Sequence, residues 1–313
     1  MKINIIILNY NGKELLEECL PGVLDAVKVS EYECVVSVLD NQSTDGSVIF
    51  LRQMFPSVKI YIAKVNKVYC SYNSILSEIG EELVVLLNND MKVEKDFLTP
   101  LVEVFRGNEN VFAVGPKCLD FSKTRYEGTM AKPFFRLGVL SAIPRYRGYE
   151  KYVDRQGLTV QIAFGLFDRR KLLLLGGFDE LYLPGIMEDM DICYRAYKYG
   201  FRCYYQPKSV VYHKGQVSFK KVYTTRYRFA IAHRNSFLFM WKNITDPVIL
   251  VTHILLIPIK LFFSLMRLKI ETSLGLFLAI KKLKYALMRR KEAKKFFNKT
   301  DRQVLKDIEN NFK

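Results

Sequence analysis

The first ninety residues alternate between short apolar runs and segments whose apolar positions have helical spacing. Four apolar, β-branched runs predict buried strands, at residues 2–8, 33–39, 58–63 and 83–87. Three segments between them predict helices, at residues 13–27, 48–54 and 71–79. Strands that alternate with helices imply right-handed βαβ units and a mainly parallel sheet. We therefore expect an α/β fold with its ligand crevice at the carboxyl ends of the strands.

Beyond residue 90 this alternation is less regular. Helical spacing recurs over residues 96–106, 169–175, 188–199 and 221–242. Short strands are predicted at residues 111–114, 160–167, 201–206 and 209–213, the last two as edge strands. Residues 121–157 are rich in Arg, Tyr, Gly and Pro, which predicts a long loop or a lid.

The C-terminal part of the chain predicts amphipathic helices. Residues 247–266 form its most apolar window, and the polar side chains in and after this window share one helical face: His253, Lys260, Ser264 and Arg267. An apolar stripe follows among basic residues, with Leu276, Ile280, Leu283 and Leu287. Helices of this kind lie in the interface of anionic membranes. We expect peripheral attachment, with packing against the domain or a true membrane span as alternatives.

Composition and charge agree with one large domain and a basic C-terminal region. Half of the 313 residues are apolar, which is enough for a sizeable core. The net charge is +16, and residues 267–313 hold 14 Lys and Arg against 5 Asp and Glu. We expect a globular domain over residues 1–240, with halves at about 1–115 and 116–240, and membrane-associating helices over 241–313. Anionic lipid is favoured over nucleic acid, because the basic residues interleave with aliphatic ones.

The cysteines and the N-terminus predict a location. Six scattered cysteines without a C-x-x-C pair indicate neither a disulfide framework nor a zinc site, which favours a reducing compartment. The apolar N-terminus is too short for a signal peptide and is interpreted as the first strand. We therefore expect a peripheral protein on the cytoplasmic face of the inner or plasma membrane.

Polar side chains gather where the predicted strands end. Asp40 could accept hydrogen bonds from a base or a ribose, or form an Asx turn. The run NND (residues 88–90) could bind a divalent cation through oxygen atoms, or simply turn the chain. Residues 188–191 place three carboxylates where a helix begins, either as a general base or as stabilisers of the helix dipole. His213 is either a metal ligand or a structural hydrogen-bonding group.

Seven segments occur together and in one order over about residues 1–239: IIILNYNG (5–12), VLDNQSTDGS (38–47), residues 66–73, LLNND (86–90), GGFDE (176–180), MEDMDICYRAYKYGF (187–201) and VVYHKG (210–215). With them the chain resembles family 2 of the nucleotide-sugar-dependent glycosyltransferases, particularly its bacterial rhamnosyltransferase-like branch. The resemblance implies a GT-A fold, in which an αβα sandwich binds the nucleotide and is joined to an acceptor-binding half. It also implies sugar transfer with inversion at the anomeric carbon.

The same resemblance implies a role for each polar cluster. Asp189 matches the catalytic base, Asp90 the ligand of Mg²⁺ or Mn²⁺, and His213 a histidine that completes the metal or diphosphate site. Residues expected to contact the nucleotide or donor are Asn9, Asn11, Asp40, Ser43, Asn66, Asn73, Asn88 and Asn89. Residues expected to support the acceptor site are Glu188 and Asp191. The donor would be a sugar linked to UDP, dTDP or GDP, and the acceptor a hydroxyl of a cell-surface glycan or a lipid-linked glycan.

Three departures from the family pattern concern the substrate more than the reaction. One is the run Gln161-Ile162-Ala163, which stands where the family has a small Ser-Gly-Ala run, so that Ile162 would narrow the acceptor cleft. Asn88 stands where the metal motif usually has Asp, so the cation would depend largely on the diphosphate. Val68 stands where related sequences often have Gly, which predicts an altered donor site. A sugar-phosphate nucleotidyltransferase is an alternative, but NYNG lacks the basic, Gly-rich phosphate loop such an enzyme needs. A catalytically inactive membrane-bound scaffold is the other alternative.

Overall fold

A computed structural model describes residues 1–215 and 223–312. The first part of the chain builds alternating strands and helices: β1 (Lys2–Asn9), α1 (Lys13–Val29), β2 (Glu33–Asp40), α2 (Ser47–Met54), β3 (Lys59–Ile62), a 3₁₀ helix (Val68–Ser74), β4 (Leu83–Asn88), β5 (Met91–Val93), α3 (Leu98–Phe105) and β6 (Val111–Asp120). The predicted strands and α-helices of this part are confirmed, except for the helix at residues 71–79.

The second part adds shorter strands and one long strand. Its elements are β7 (Tyr126–Gly128), β8 (Lys132–Arg136), β9 (Val139–Ile143), a 3₁₀ helix (Tyr149–Lys151), β10 (Gly157–Leu158), β11 (Gly165–Asp168), α4 (Arg169–Leu174), a 3₁₀ helix (Glu180–Tyr182), α5 (Glu188–Tyr199) and β12 (Arg202–His213). The C-terminal part is helical: α6 (Thr225–Asn243), α7 (Pro247–Met266), α8 (Glu271–Lys281), α9 (Leu283–Lys294), α10 (Asp301–Glu309) and a 3₁₀ helix (Asn310–Phe312). The predicted helix at residues 221–242 begins outside the described residues.

One large sheet organises the described chain, in the order β10-β12-β6-β11-β4-β1-β2-β3, with β5 added to β12 and β7 to β6. The long strands run parallel, namely β1 with β2 and β4, β2 with β3, and β6 with β12. The strands β5, β7, β10 and β11 are short and antiparallel. This is the mainly parallel α/β sheet predicted from the sequence. It aligns Asn9 with Asp40, and Leu8 with Asn88, at one edge.

Several predicted elements are wrong in detail, among them the strand predicted at 160–167, which begins only at Gly165. Residues 71–79 do not form an α-helix, because their side chains bind backbone groups instead: Ser74 Oγ donates to the Ser71 carbonyl at 2.7 Å. The predicted loop at 121–157 contains β7 and the β8–β9 hairpin. The two predicted edge strands form one strand, β12, which is paired on both sides. Pro207 interrupts the apolar pattern there, and the ladder accommodates it as an irregularity between Gln206 and Val210.

The hydrophobic core continues across residue 240, the predicted domain boundary. Val304, Ile308 and Phe312 of the C-terminal segment are buried in the same core as Tyr194 and Tyr197 of α5. The buried carboxylate of Asp301 fixes this segment, since it accepts hydrogen bonds from Lys198, Tyr194 and Thr245 at 2.7 to 2.9 Å. The last helix therefore belongs to the packed body of the protein.

Candidate active site

The carboxyl ends of the central strands bring several predicted nucleotide residues into one hydrogen-bonded network. The Asn9 amide nitrogen donates to Asp40 Oδ2 at 2.9 Å and to Ser43 Oγ at 3.2 Å. Asn89 Nδ2 in turn donates to Asn9 Oδ1 at 2.7 Å. Asn9, Asp40 and Asn89 are all buried. Residues from three separate strand ends thus form one buried network where the ligand crevice is predicted.

The loop after β2 is shaped by the same groups. Ser43 N donates to Asp40 Oδ1 at 2.8 Å, and Asn11 N donates to Ser43 Oγ at 2.9 Å. Thr44 N donates to Asn11 Oδ1 at 2.7 Å. Asp40 therefore stabilises a turn in the backbone, which is one of the two roles predicted for it. Each of its oxygens accepts one hydrogen bond from the described residues and retains a second acceptor position for a ligand.

Gly12 is the residue that lets this network close. A Cβ atom at position 12 would lie 2.0 Å from Asn89 Nδ2 and 2.9 Å from Asn9 Oδ1. No side chain fits at these distances, so the glycine of NYNG is required by the close approach of the Asn89 amide. The motif's glycine thus serves packing inside the crevice.

Asp90 and His213 lie side by side on neighbouring strands. The β5–β12 ladder pairs Met91 with His213, which brings the preceding residue, Asp90, next to the imidazole. Asp90 Oδ2 and His213 Nε2 are 3.4 Å apart. Two adjacent ligands of an octahedral ion with bonds of about 2.1 Å lie about 3 Å apart, so this pair fits two positions around one divalent cation.

The rest of such a coordination sphere would come from outside the protein. Within residues 1–215 and 223–312, no three His, Cys, Asp or Glu side chains are close enough to hold a metal together. A site with two protein ligands suits Mg²⁺ or Mn²⁺, which commonly keep water and share substrate phosphate oxygens. The amide Asn88 at the end of β4 agrees with this, because it adds no charge.

A short segment before β11 connects the Asp90–His213 pair to Asp189. The ring centroids of Phe164 and His213 are 6.1 Å apart. At the other end of the segment, Gln161 Nε2 donates to Asp189 Oδ2 at 2.7 Å. Because Gln161 and Phe164 are three positions apart, their Cα atoms are separated by about 11 Å at most. The candidate base and one of the candidate metal ligands therefore both lie against the four-residue segment 161–164.

Glu188 and Asp189, called here the acidic pair, begin α5 with little charge compensation. Burial raises the pKa of Asp189, and the hydrogen bond from Gln161 only partly offsets this. Burial and the neighbouring Asp189 carboxylate raise the pKa of Glu188 to about 8. Glu188 Oε2 is buried without a hydrogen-bond partner among the described residues. At neutral pH Glu188 is therefore protonated, and a raised pKa makes Asp189 a more effective proton acceptor.

The loop that carries the acidic pair is held in an unusual conformation. Ile186 and Met187 have φ angles of 72° and 85°, which non-glycine residues seldom adopt. Asn235 of α6 holds this loop, since its Nδ2 donates to the carbonyls of Tyr182, Gly185 and Ile186 at 2.7 to 2.9 Å. The orientation of Asp189 is thus set by a helix that follows it by almost forty residues.

Asp191 has a different role from its neighbours. It is fully buried and accepts hydrogen bonds at 2.7 to 2.9 Å from four side chains: Tyr182, Arg195, Lys242 and Asn243. Burial alone would raise its pKa, but Arg195 and Lys242 hold the pKa of Asp191 far below its usual range. Such a group is not available for direct contact with an acceptor sugar. The expected support of the acceptor site by Asp191 stays a prediction, and its contacts show that it links α5 to α6.

Asp191 belongs to a group of buried charges, called here the ion cluster. Asp179 of the GGFDE segment contacts the same lysine, with Lys242 Nζ at 2.6 Å, and also Arg289 Nε at 2.9 Å. The ion cluster consists of Asp179, Asp191, Arg195, Lys242 and Arg289. It joins the GGFDE segment, α5, α6 and α9, and so it fixes the frame on which the acidic pair sits.

The segment at residues 66–73 contributes structure around the crevice. Asn66 Oδ1 accepts a hydrogen bond from Val68 N at 2.9 Å, and the Val68 carbonyl accepts from Asn41 Nδ2 at 3.1 Å. Val68 has a φ of 51°, a conformation that the glycine of related sequences adopts without strain. Both amide groups of Asn73 bind the backbone of Phe178 at 2.8 and 2.9 Å. Asn73 therefore links two motifs, and its contact with the donor stays a prediction.

Three functional candidates were missed by the sequence interpretation. Gln161 is the hydrogen-bond partner of Asp189, and Asn235 holds the loop before it. Asn41 is 1% exposed, and its Oδ1 has no partner among the described residues, next to Asp40. Asn41 could have been found as a member of the DNQSTDGS motif. Gln161 stood out only as part of a departure from the family pattern, and Asn235 had no signal, because the roles of both residues arise from contacts between distant segments.

The family model described as glycosyltransferase like family 2 matches residues 2–232. No curated protein matches the sequence significantly.

Solved structures with the same fold include several glycosyltransferases of low sequence identity. GalNAc-T7 with UDP, GalNAc and Mn²⁺ superposes with a TM-score of 0.68 at 14% identity, and the match covers all of this chain but 57% of that one. S. aureus TarS 1-349 in complex with UDP-GlcNAc gives a TM-score of 0.58 at 16% identity, over 99% of this chain and 92% of that one. The mannosyltransferase PcManGT from Pyrobaculum calidifontis, in complex with GDP-Man and Mn²⁺, gives 0.54 at 16% identity, over 93% and 86%. These likenesses establish the GT-A fold.

Proposed function

This chain belongs to the glycosyltransferase like family 2, and on that premise we propose that it transfers a sugar from a nucleoside-diphosphate sugar to an acceptor hydroxyl with inversion. The observation that carries the proposal is the arrangement around residues 161–164, where Asp189 lies at one end and the Asp90–His213 pair at the other. An acceptor hydroxyl needs a base on the side of the sugar opposite the leaving diphosphate. The two groups come from distant parts of the chain, and in this proposal Asp189 would be the base and the Asp90–His213 pair would lie on the diphosphate side.

The donor would lie along the network at the strand ends. Asp40 and Asn41 offer buried acceptor oxygens for a nucleobase or ribose, beside Asn9 and Ser43. Structural neighbours were solved with UDP, UDP-GlcNAc and GDP-Man, which supports a UDP, dTDP or GDP sugar as the donor class. Asp90 and His213 would hold Mg²⁺ or Mn²⁺ with the diphosphate. A divalent ion bound there supplies positive charge that stabilises the departing diphosphate.

The chain's own residues would carry the proton transfer. The acceptor oxygen attacks the anomeric carbon, its proton passes to an Asp189 carboxylate oxygen, and the bond from that carbon to the diphosphate oxygen breaks. Gln161 orients the Asp189 carboxylate, and Asn235 fixes the loop from which it projects. Proton transfer of this kind contributes about 10²- to 10⁴-fold to the rate. The protonated Glu188 leaves Asp189 without a second negative charge beside it at neutral pH.

We also propose where the enzyme works and on what acceptor. The acceptor would be a hydroxyl of a cell-surface glycan, free or on a lipid carrier, in a bacterial cell envelope pathway. The exposed apolar and basic C-terminal helices support a peripheral position on the cytoplasmic face of the inner or plasma membrane. Family membership argues against the nucleotidyltransferase and the inactive scaffold, so neither alternative is kept.

Calorimetry with and without Mn²⁺ tests the donor site. Wild-type protein is expected to bind UDP-, dTDP- or GDP-sugars more tightly with Mn²⁺, and Asp90→Ala is expected to lose this gain while keeping the metal-independent binding. Asp96→Ala, an acidic residue outside the network, is the matched control. Equal affinities for wild type and Asp90→Ala in both conditions would refute the ligand role. Release of nucleoside diphosphate across a panel of donors, with membrane extract as acceptor, then identifies the sugar.

A further inference from the structure

The helix α7 exposes its apolar face and turns its polar face toward the protein. His253 is 1% exposed, its Nδ1 lies 2.6 Å from the Gly138 carbonyl, and its Nε2 accepts from Trp241 Nε1 at 3.0 Å. Ser264 is also buried, with Oγ 2.8 Å from Thr272 Oγ1. These two residues lie eleven positions apart, close to three helical turns, and define one inward seam.

The opposite half of α7 consists of large apolar side chains in solvent. Among them Leu255, Phe262 and Met266 are 67%, 60% and 68% exposed. A helix at a water-exposed surface normally shows the reverse distribution, with polar residues outward. By length and apolar composition α7 could also cross a membrane, and only a small part of the helix is buried in the protein. A contiguous apolar face of this size indicates a binding surface.

The turn after α7 also exposes an apolar side chain, to a greater extent than the helix does. Leu268 is 88% exposed and has a φ of 54°, at a helix end where glycine is the usual residue. Its neighbours Arg267 and Lys269 are exposed as well. In water, a leucine at this position has two costs. Its backbone adopts a left-handed conformation, and its apolar side chain is exposed to solvent. Both disadvantages are offset if the side chain enters an apolar phase.

The tip of the β8–β9 hairpin lies beside α7 and has the same pattern. A Cβ atom at Gly138 would be 3.1 Å from both the His253 Cα and the Leu256 Cβ atoms, so the hairpin turn packs directly on the helix. Next to it, Phe135 and Leu137 are 43% and 38% exposed, with the exposed Arg136 between them. Two separate apolar tips, each with a basic residue beside it, thus border the face of α7.

We propose that α7, the turn at residues 266–270 and the hairpin tip at residues 135–137 form one lipid-binding surface, occupied by the headgroup and upper acyl-chain region of an anionic phospholipid bilayer. Residues 247–291 hold nine Lys and Arg and one acidic residue, Glu271. This charge complements anionic lipid. The same charge disfavours binding of a second copy of the chain, because two positively charged surfaces would repel each other.

The surface lies on the bilayer and does not cross it. The inward seam of α7 packs against the hairpin, α6 and α8 through His253 and Ser264. A membrane span would have to break these contacts and expose their polar groups to lipid. Two basic residues that were expected on the membrane face instead form hydrogen bonds within the protein. Lys282 Nζ donates to the Leu181 carbonyl at 2.9 Å, and Arg290 donates to the Trp241 carbonyl at 2.9 Å. Within the proposed surface, the exposed basic residues that can attract anionic lipid are Arg136, Arg267 and Lys269.

Vesicle flotation tests the surface. This proposal rests on the membrane attachment proposed above and not on the transfer reaction. Wild-type protein should float with phosphatidylglycerol–phosphatidylcholine vesicles and far less with phosphatidylcholine alone. Leu268→Gly should weaken partitioning about tenfold, because one leucine no longer enters the apolar phase. This variant keeps the fold, since glycine suits the left-handed backbone. Lys269→Gln should weaken binding to the anionic vesicles about fivefold.

Phe262→Glu should abolish flotation, whereas Val29→Glu, which alters an equally exposed apolar residue on α1, should leave it unchanged. Wild-type protein that does not float, or variants that float like wild type, would overturn the proposal. A dimer in solution that Phe262→Glu converts to monomer would also overturn it, in favour of a second copy. Nucleoside diphosphate release without vesicles should be the same in all variants. A protein that floats but has no turnover would refute the reaction and leave the surface standing.

Discussion

The acidic pair and the ion cluster place carboxylates of nearly the same sequence segment in opposite environments. Asp189 and Asp191 are two positions apart at the start of α5, and both are buried. Asp189 has Gln161 as its side-chain partner and a raised pKa. Asp191 is surrounded by Arg195, Lys242 and other donors, and its pKa is strongly lowered. Burial alone therefore does not decide the chemistry of a carboxylate; the charge of its neighbours does.

This difference separates reactivity from stability within one helical turn. A carboxylate that is buried beside cations is a poor base, because the cations stabilise its ionised form and so lower its affinity for a proton. One that is buried beside an amide keeps a high proton affinity and can take a proton from a sugar hydroxyl. The ion cluster fixes the frame, and the acidic pair performs the reaction that we propose.

Loss of an ion-cluster carboxylate should have the largest effect on stability. Asp191→Asn leaves Arg195 and Lys242 buried with less negative charge, which should lower the free energy of unfolding by about 3–5 kcal/mol. Denaturant unfolding measures this. Asp154→Asn is the control, since Asp154 forms an exposed pair with Lys117 and its side chain is 81% exposed; little change is expected there. Equal stability of Asp191→Asn and wild type would contradict the ion-cluster assignment.

The two groups should give stability opposite dependences on pH. The raised pKa of Glu188, from 4.5 to about 8, means that the native state binds its proton more tightly than the unfolded chain. Its stabilisation is complete below about pH 4.5 and is lost as pH rises through about 8, by about 1.4 kcal/mol per pH unit at most. The lowered pKa values of Asp179 and Asp191 act oppositely: their stabilisation is present above about pH 3.8 and is lost as pH falls.

Unfolding free energies measured from pH 3 to 9 separate these contributions. Glu188→Gln should reduce the fall in unfolding free energy at alkaline pH. Asp191→Asn should reduce the fall in unfolding free energy at acid pH. If both variants keep the wild-type pH profile, the contrast between the two groups is wrong.

The smallest expected effect comes from the amide that holds Asp189. Gln161→Leu removes the hydrogen bond that lowers the Asp189 pKa, so the acid limb of the kcat/KM profile should move to higher pH and the rate at neutral pH should fall several-fold. Because a buried carboxylate loses its side-chain partner, the free energy of unfolding should also fall, by about 1–3 kcal/mol. Gln156→Leu, at an exposed position, is the matched control and should not move the profile. An unshifted acid limb in Gln161→Leu would contradict the proposed orientation of Asp189.

The sequence predicted the sheet and its polar strand ends because periodic patterns and turn residues are local signals. Asp40, Asp90 and His213 were found in this way, and their strands bring them to one edge. The split between Asp189 and Asp191 could not be predicted, because it depends on Lys242 and Gln161, which are distant in sequence. The apolar window of α7 predicted a membrane-associated helix. Its inward polar seam depends on the hairpin at Gly138, for which no local pattern exists.

In the proposed reaction Asp189 is the proton acceptor, and no other described residue has this role. Asp189→Asn preserves the shape and a hydrogen-bonding side chain but removes the base. Transfer measured as nucleoside diphosphate release with acceptor should fall by at least about 10²-fold, while donor affinity measured by calorimetry on the same protein stays within about twofold. Turnover near the wild-type rate with unchanged donor binding would contradict the central claim.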